Sequence, residues 1–367
     1  MICGFLLLFV TAAAQSAAVN ELREAAERAP SQPRGWYALG QAYNTIKQEA
    51  IASLGTLQDA DWQQLLAADG LMGAGRLTDA FTLYRESLER LPSMVTIHDS
   101  VARIYEQTGH ADWAARERTS GALSADECVR RKPLCEFRSS RYLSSLDSAM
   151  RQSDAESRYW RARAANELAL AAFTRLDGLA DSLERRAVRA TLARAEDRTA
   201  DAIAELGAAL KFSPGHPALL YELASTHYAA RDYEQAIATL SPLLERHPDD
   251  PRYLKLSGYA LIRLRRVDEA LPVLQRAAER DPGDPGPRLA LGQAYLLNGD
   301  FAAAVPLIEA QLEDDQDGSV HVQLARAYIG LGQRDKAAPL LARAEEIQRT
   351  ADELSATVSR RTITPPK

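Results

Sequence analysis

The amino-acid sequence predicts an all-α protein built as a solenoid of helical hairpins, and three observations carry that reading. The first is a period. Tyr233, Ala236, Leu240 and Pro248 recur as Val267, Ala270, Leu274 and Pro282, each pair 34 residues apart, across Pro217 to Asp284; a fixed spacing of that length marks stacked helix-turn-helix units. The second is the placement of small residues. Ala224 and Gly258 fall where the first helix of a hairpin crosses the second, and Ala236 and Ala270 fall at the facing position, where larger side chains would push the helix axes apart. Leu220, Leu223, Leu254 and Leu261 fill the space around them, and Pro248 and Pro282 end the second helix because an imide nitrogen cannot continue its hydrogen-bond ladder. The third is composition: few aromatics (7%) among many Ala, Leu, Arg and Glu residues, the strong helix formers, so strands have little support. At 367 residues the chain exceeds one ordinary core, but a solenoid needs only contacts between neighbouring units.

The fullest matches stand outside that stretch. Trp36, Leu39, Gly40 and Tyr43 lie in Trp-Tyr-Ala-Leu-Gly-Gln-Ala-Tyr, and Leu291, Gly292, Ala294 and Tyr295 lie in Leu-Gly-Gln-Ala-Tyr, followed by the turn Asn298-Gly299-Asp300-Phe301 and the small residue Ala304. In these motifs the chain resembles the tetratricopeptide repeat family. The resemblance implies a right-handed superhelix of hairpins whose concave face, lined by the first helices, holds a peptide or partner protein.

Taken in order, residues 1–17 read as a secretory signal peptide: Met1 to Ala14 carries no charge and runs through Ile2, Phe5 to Val10 and then Ala12-Ala13-Ala14, with cleavage expected near Ala14 to Ala17. The run is shorter than the roughly 20 residues a membrane span needs, and no Lys or Arg precedes it. An uncleaved hydrophobic helix that tethers the protein to a membrane is the alternative. Residues 18–118 form a first repeat block. Asn20 to Pro30 reads as the closing half of a repeat, with Leu22 and Ala25 expected inward and Pro30 ending it; Pro33 to Leu54 is one unusually long helix; hairpins follow around Ala68, Ala80 and Tyr84, and around Val101, Ala102, Tyr105 and Ala114. Shifting this block by 122 residues lays Asn44 on Asn166, Ala50 on Ala172, Leu54 on Leu176, Ala68 on Ala190, Ala80 on Ala202, Pro92 on Pro214, Ala102 on Ala224 and Ala114 on Ala236. We read an internal duplication in which one long helix plus two hairpins occurs twice, so that residues 158–351 form a second block.

Between the copies, residues 119–157 are the least repeat-like. They hold Cys128 and Cys135 and the basic run Arg130-Arg131-Lys132, with Arg138, Arg141, Arg151 and Arg158 beyond, and one helix is expected through Tyr142, Leu146, Ala149 and Met150. A basic insertion is either an anionic contact site or a solvated surface bridging two stacks, and the second reading is favoured. On a continuous helix seven residues would separate the two cysteines by about 10.5 Å, beyond the roughly 7 Å that a bridge spans. Pro133 interrupts the helix, so a closed loop with a Cys128–Cys135 disulfide is expected in an exported chain, two free thiols being the alternative. At the other end, residues 352–367 are expected to be disordered, because the Arg, Thr and Pro residues from about Ser359 offer no apolar face.

The chemistry-bearing constellations are few. Glu313 to Gly318 has an incomplete calcium-ligand set, with Leu324 at the closing position, and reads as an acidic turn. Gly70, Gly73 and Gly75 occupy a hairpin turn, not a phosphate cradle. No histidine pair has metalloprotease spacing, no cysteine has a zinc-site partner, and no nucleophile with a base can be named, so no catalytic residue, metal or cofactor is expected. A formal charge of −6 argues against a nucleic-acid protein. What remains is the groove. Tyr221, Ser225 and Tyr228 of one first helix, with Arg252, Lys255, Tyr259 and Arg263 of the next, place aromatic and basic groups side by side, suited to a peptide with an acidic group. Against this stands the plainer reading, Tyr as superhelical packing and Arg as solvated surface. Relatives of the resembled family that clamp a carboxyl terminus use Lys, Asn and Arg, whereas Leu65, Asp69 and Met72 stand on the helix Gln64 to Gly73, which departs from that set. The expected function is a non-enzymatic scaffold for a protein or peptide partner in the bacterial cell envelope, without a small-molecule substrate.

Overall fold

The structure is a computed structural model and describes residues 12–55, 60–90, 94–121, 123–359 and 363–366. The leader up to residue 11, Leu57 and Pro92 lie outside them. Among the described residues every regular element is a helix. In chain order they are α1 (Ala12–Arg28), α2 (Pro33–Gly55), α3 (Ala60–Gly73), α4 (Leu77–Arg90), α5 (Val95–Gln107), α6 (Ala111–Ser120), α7 (Ala125–Arg130), α8 (Lys132–Arg138), α9 (Tyr142–Met150), α10 (Ala155–Asp177), α11 (Leu183–Ala195), α12 (Thr199–Phe212), α13 (Pro217–Ala229), α14 (Tyr233–Arg246), α15 (Pro251–Arg263), α16 (Val267–Arg280), α17 (Pro285–Asn298), α18 (Phe301–Glu309), α19 (Ser319–Gly330) and α20 (Arg334–Ser359). No helix among the described residues is long and apolar enough to cross a membrane. Two compact units divide at Arg185 and Arg186, the segment 363–366 belonging with the first.

In the first unit the two long helices α2 and α10, each of 23 residues, pair with one another. A Cβ on Gly40 would meet the Phe173 ring (Cδ1 at 2.7 Å), Lys47 Nζ reaches Asn166 Oδ1 at 3.4 Å, and Arg158 donates to the Ser53 carbonyl at 2.8 Å. Rising numbers on one helix meet falling numbers on the other, so the pair is antiparallel. Leu39, Tyr43, Ile46, Ala165, Ala169 and Ala172 form the seam. The ends of α10 stand 122 residues after those of α2, and α4 and α12, or α5 and α13, are displaced by the same number. The sequence reading places α10 at the head of the second block. It sits instead with the first unit, because the apolar stripe it carries is covered by α2. α1 packs on α2 and buries Val19 and Ala26, and the register differs by one from that expected, Ala25 being exposed.

The stretch between the blocks is helical. Ser124 and Glu127 form a capping box that opens α7, Pro133 stands in the first turn of α8, and α9 covers the expected Tyr142 to Met150. Cys128 and Cys135 are bonded, with Cα atoms 5.5 Å apart; Arg131, at the break between α7 and α8, leaves helical geometry (ψ 51°) and folds the two turns back on each other. Of its basic groups, Arg131 pairs with Glu156 (2.7 Å) and Arg138 with Asp99 (2.8 Å), and Arg158, beyond it on α10, donates to backbone carbonyls.

The second unit is a row of consecutive hairpins, α13/α14, α15/α16, α17/α18 and α19/α20, each stacked on the next, with the first helices α13, α15, α17 and α19 side by side. Asp250 and Asp284 cap α15 and α17 through the backbone N–H groups of Arg252 (3.0 Å) and Gly286 (2.9 Å), and Pro217, Pro251 and Pro285 stand at the starts of three successive first helices. In α15 and α17 the small residue is covered by the residue sixteen further on: a Cβ at Gly258 would meet Leu274 (Cγ at 2.6 Å) and one at Gly292 would meet Ile308 (Cγ1 at 2.8 Å). Ala236 and Ala270 are fully buried beside this contact. α20 runs on to Ser359, so residues 352–359 are helical where disorder is expected, and Ile363 packs on the core of the first unit.

Candidate functional site

The side-by-side first helices α13 and α15 carry the seven groove candidates, which meet two different fates. Tyr221, Arg252 and the neighbouring Tyr253 form a closed group: the tyrosine rings are 5.7 Å apart, the Arg252 guanidinium lies 5.3 Å from the Tyr253 ring and 6.0 Å from the Tyr221 ring, and Asp250 holds it at 2.8 Å. Lys255 is likewise engaged, its Nζ 2.6 Å from Asp284 Oδ2. Through that hydrogen bond and the Gly286 N–H, the Asp284 carboxyl is held below the usual carboxylate range. Ser225 is half-buried on α13.

Tyr228, Tyr259 and Arg263 are brought together. With Ile262, Gly286, Leu289 and Gln293 they line a cavity of about 210 Å³. α15 supplies Tyr259 and Arg263 one turn apart, α13 supplies Tyr228 and α17 supplies the floor. The absence of a side chain at Gly286 is what admits the Tyr259 hydroxyl, since a Cβ there would collide with it. Burial first, and Asp284 and Tyr228 next, push the Tyr259 phenol up to about 12, so it stays a neutral donor. Arg263 is exposed. Its hydrogen bond to the Tyr228 oxygen favours the charged form, and among the described residues no carboxylate neutralises it. Of the three groove cations, Arg263 alone offers an uncancelled charge. Gln293 and Leu289, one repeat further on, carried no signal at the sequence level: the 34-residue period places them on the same face, but nothing in their type marks a site.

The first unit holds a larger concavity, of about 600 Å³, lined among others by Lys47, Ile51, Met72, Arg103 and Leu170. Its wall carries a hydrogen-bonded network. Asp69 accepts from Arg163 (2.6 Å), Tyr84 (2.6 Å) and Tyr159 (2.8 Å), and Leu65 is fully buried. Asp69 and Leu65 are thereby tied into the fold. The acidic stretch Glu313 to Gly318 begins in a short 3-10 helix, Leu312–Asp314, and then turns: Asp315 accepts from the ring (2.6 Å) and backbone (2.9 Å) nitrogens of His321, and Gly318 takes the left-handed conformation (φ 79°). Among the described residues no group of three or more metal-ligating side chains converges.

A family model described as tetratricopeptide repeat matches residues 193–258 and 261–321, and a second model of the same description matches 318–350. The second unit is a tetratricopeptide-repeat array. Similar solved structures include the MamA protein (20% identity, 47% of this chain and 94% of that one, TM-score 0.41), MamA residues 41 to the end from Desulfovibrio magneticus RS-1 (18%, 47% and 98%, TM-score 0.44) and YrrB, described as a TPR protein with an unusual peptide-binding site (22%, 46% and 87%, TM-score 0.40). No curated protein matches the chain. In this tetratricopeptide-repeat array the Tyr228, Tyr259 and Arg263 cluster lies on the first helices, the face that the sequence resemblance assigns to partners. The tetratricopeptide-repeat fold suggests a scaffold for protein–protein interaction.

Proposed function

We propose that this protein is a non-enzymatic scaffold of the bacterial cell envelope whose second unit captures an extended or helical peptide bearing an acidic side chain. The observation that carries the reading is the exposed, uncancelled Arg263 beside the Tyr228 and Tyr259 rings. A cavity of about 210 Å³ is below the roughly 300 Å³ at which small-molecule sites begin and suits one peptide side chain. The Arg263 guanidinium would receive its carboxylate in a charge-assisted hydrogen bond, and the Tyr259 hydroxyl would donate beside it. Export is supported by the apolar leader and by the Cys128–Cys135 bridge, a bond that persists mainly in oxidising compartments.

The test is a peptide-array or anisotropy screen with acidic and amide-neutralised peptide pairs against the wild-type chain and Arg263→Glu. Acidic peptides should bind the wild type at least tenfold more tightly than their neutral partners, and Arg263→Glu should abolish that preference with an unchanged melting curve. Equal binding by wild type and variant would reject the site. Arg263 is a cleaner target than Lys255, whose reversal would place a carboxylate against Asp284 and its cap. For localisation, fractionation should recover a mature chain lacking the leader from the periplasm; a chain retained in carbonate-washed membranes would reject that part.

A further inference from the structure

Residues 363–366, Ile-Thr-Pro-Pro, lie on the first unit. Ile363 packs against the cluster that contains Phe81 and Tyr105, as Trp113 does, and the Thr364 carbonyl accepts a 2.7 Å hydrogen bond from the Tyr105 hydroxyl. Tyr105 is fully buried. Its ring is boxed by Phe81 (centroids 5.6 Å) and, edge-on, by Trp113 (5.5 Å), which His110 stacks upon at 4.1 Å. A buried phenol needs a partner for its O–H, and here that partner is main chain brought in by the segment. A residue before proline is driven to extended backbone, which leaves the Thr364 carbonyl free of local helical bonding and open to the Tyr105 hydroxyl. Ile363 and Pro366 are half-buried while Thr364 and Pro365 are exposed. The contact therefore has the parts of proline-rich peptide recognition: an aromatic pocket, one donor aimed at a main-chain carbonyl, and a ligand whose low entropy in the extended state reduces the cost of docking.

We propose that the Phe81–Tyr105–Trp113 cleft of the first unit is a second peptide site, specific for an extended apolar-Thr-Pro-Pro segment, and that residues 363–366 of the same chain occupy it and hold it closed to outside peptides of that pattern. The site is independent of the α13–α17 cavity, which is charged and lies in the other unit.

The experiment uses the full chain and a fluorescein-labelled peptide of residues 358–367. Ile363→Asp in the full chain releases the segment without altering the cleft, and circular dichroism checks that it folds. The peptide should bind Ile363→Asp at least tenfold more tightly than wild type, a peptide carrying the same substitution should not bind, and adding Tyr105→Phe should weaken binding about fivefold, as loss of one hydrogen bond predicts. Arg263→Glu should leave all of this unchanged. Equal binding to wild type and Ile363→Asp, or binding to neither, would overturn the proposal. So would concentration-dependent dimerisation of the wild type that Ile363→Asp abolishes, because the occupant would then be a second copy.

Discussion

Asp197, Arg231, Arg265 and Gly299 stand 34 residues apart, and all four have positive φ (55°, 64°, 57° and 81°). The turn between the two helices of each hairpin demands the left-handed region, and in three of four places the chain meets that demand with a side chain that pays for it: for residues other than glycine the region costs about 1–2 kcal/mol. In the first unit Gly75 (φ 74°) and Gly109 (φ 82°) precede Asp197 and Arg231 by 122 residues. Arg265→Gly should therefore stabilise the chain, by about 0.5–1 kcal/mol once the greater freedom of glycine in the unfolded state is subtracted, read as a rise in melting temperature; a fall would mean that the turn is not strained. A second residue-scale effect sits at Asp315, whose side chain is 1% exposed. Burial pushes its carboxyl up, but hydrogen bonds from the His321 ring and from the backbone N–H groups of His321 and Val320 outweigh it and hold the group below its ordinary range. A depressed folded value means stabilisation that is complete above the unfolded carboxylate range and lost as pH falls through the folded value. Asp315→Asn should thus flatten the acid limb of the melting-temperature profile below about pH 4 while lowering the plateau; an acid limb identical to wild type would show that Asp315 contributes no pH-dependent stability.

Among the elements, helices with a strict small-residue period were legible in the sequence and their partners were not. The 34-residue spacing identified α13 to α16 because Gly258 must admit Leu274 and Ala224 must admit its neighbours; a steric requirement repeated every hairpin leaves a repeated letter. The apolar stripe of α10 says only that one face is covered. That α2 covers it depends on two stretches more than a hundred residues apart having matching length and small residues, Gly40 against Phe173 and the alanines of the seam, and periodicity holds no such information. The site divided the same way: aromatic and basic types at helical spacing put Tyr228, Tyr259 and Arg263 on one face, whereas the neutralisation of Arg252 by Asp250 and of Lys255 by Asp284 depends on rotamers the sequence does not display. α7 and α8 escaped because each is under two turns, too short for a period, although Ser124, Glu127 and Pro133 were there to be read as caps. The bridge across them closes a short loop, worth roughly 2–3 kcal/mol by loop-closure entropy. Reduction, or Cys128→Ser with Cys135→Ser, should lower the melting temperature by several degrees and expose the α7–α8 amides to hydrogen exchange before those of α9. No change in either would show that the bridge adds nothing to the folded state.

At the scale of the whole chain the two units differ in how far their contacts reach along the sequence. In the array of α13 to α20 every hairpin closes within about 34 residues and stacks on its neighbour, so each step of assembly costs little loop entropy and is repaid at once. The first unit is built round α2 and α10, whose contacts join residues 105 and 119 positions apart in the Arg158–Ser53 and Lys47–Asn166 pairs, and the seam of alanines between them gains nothing until the long loop has closed. Non-local pairing slows folding more than any other topological feature. In a pulsed hydrogen-exchange refolding experiment with the disulfide intact, the amides of α13 to α18 should therefore gain protection first, and those of α2 and α10 should gain theirs together in a later, slower phase. Simultaneous protection of both sets would mean that the long helices pair through native-like structure already present in the unfolded chain. Gly40→Val then separates the two cases: a side chain driven into the Phe173 ring should slow only the later phase if the α2–α10 seam is what that phase forms.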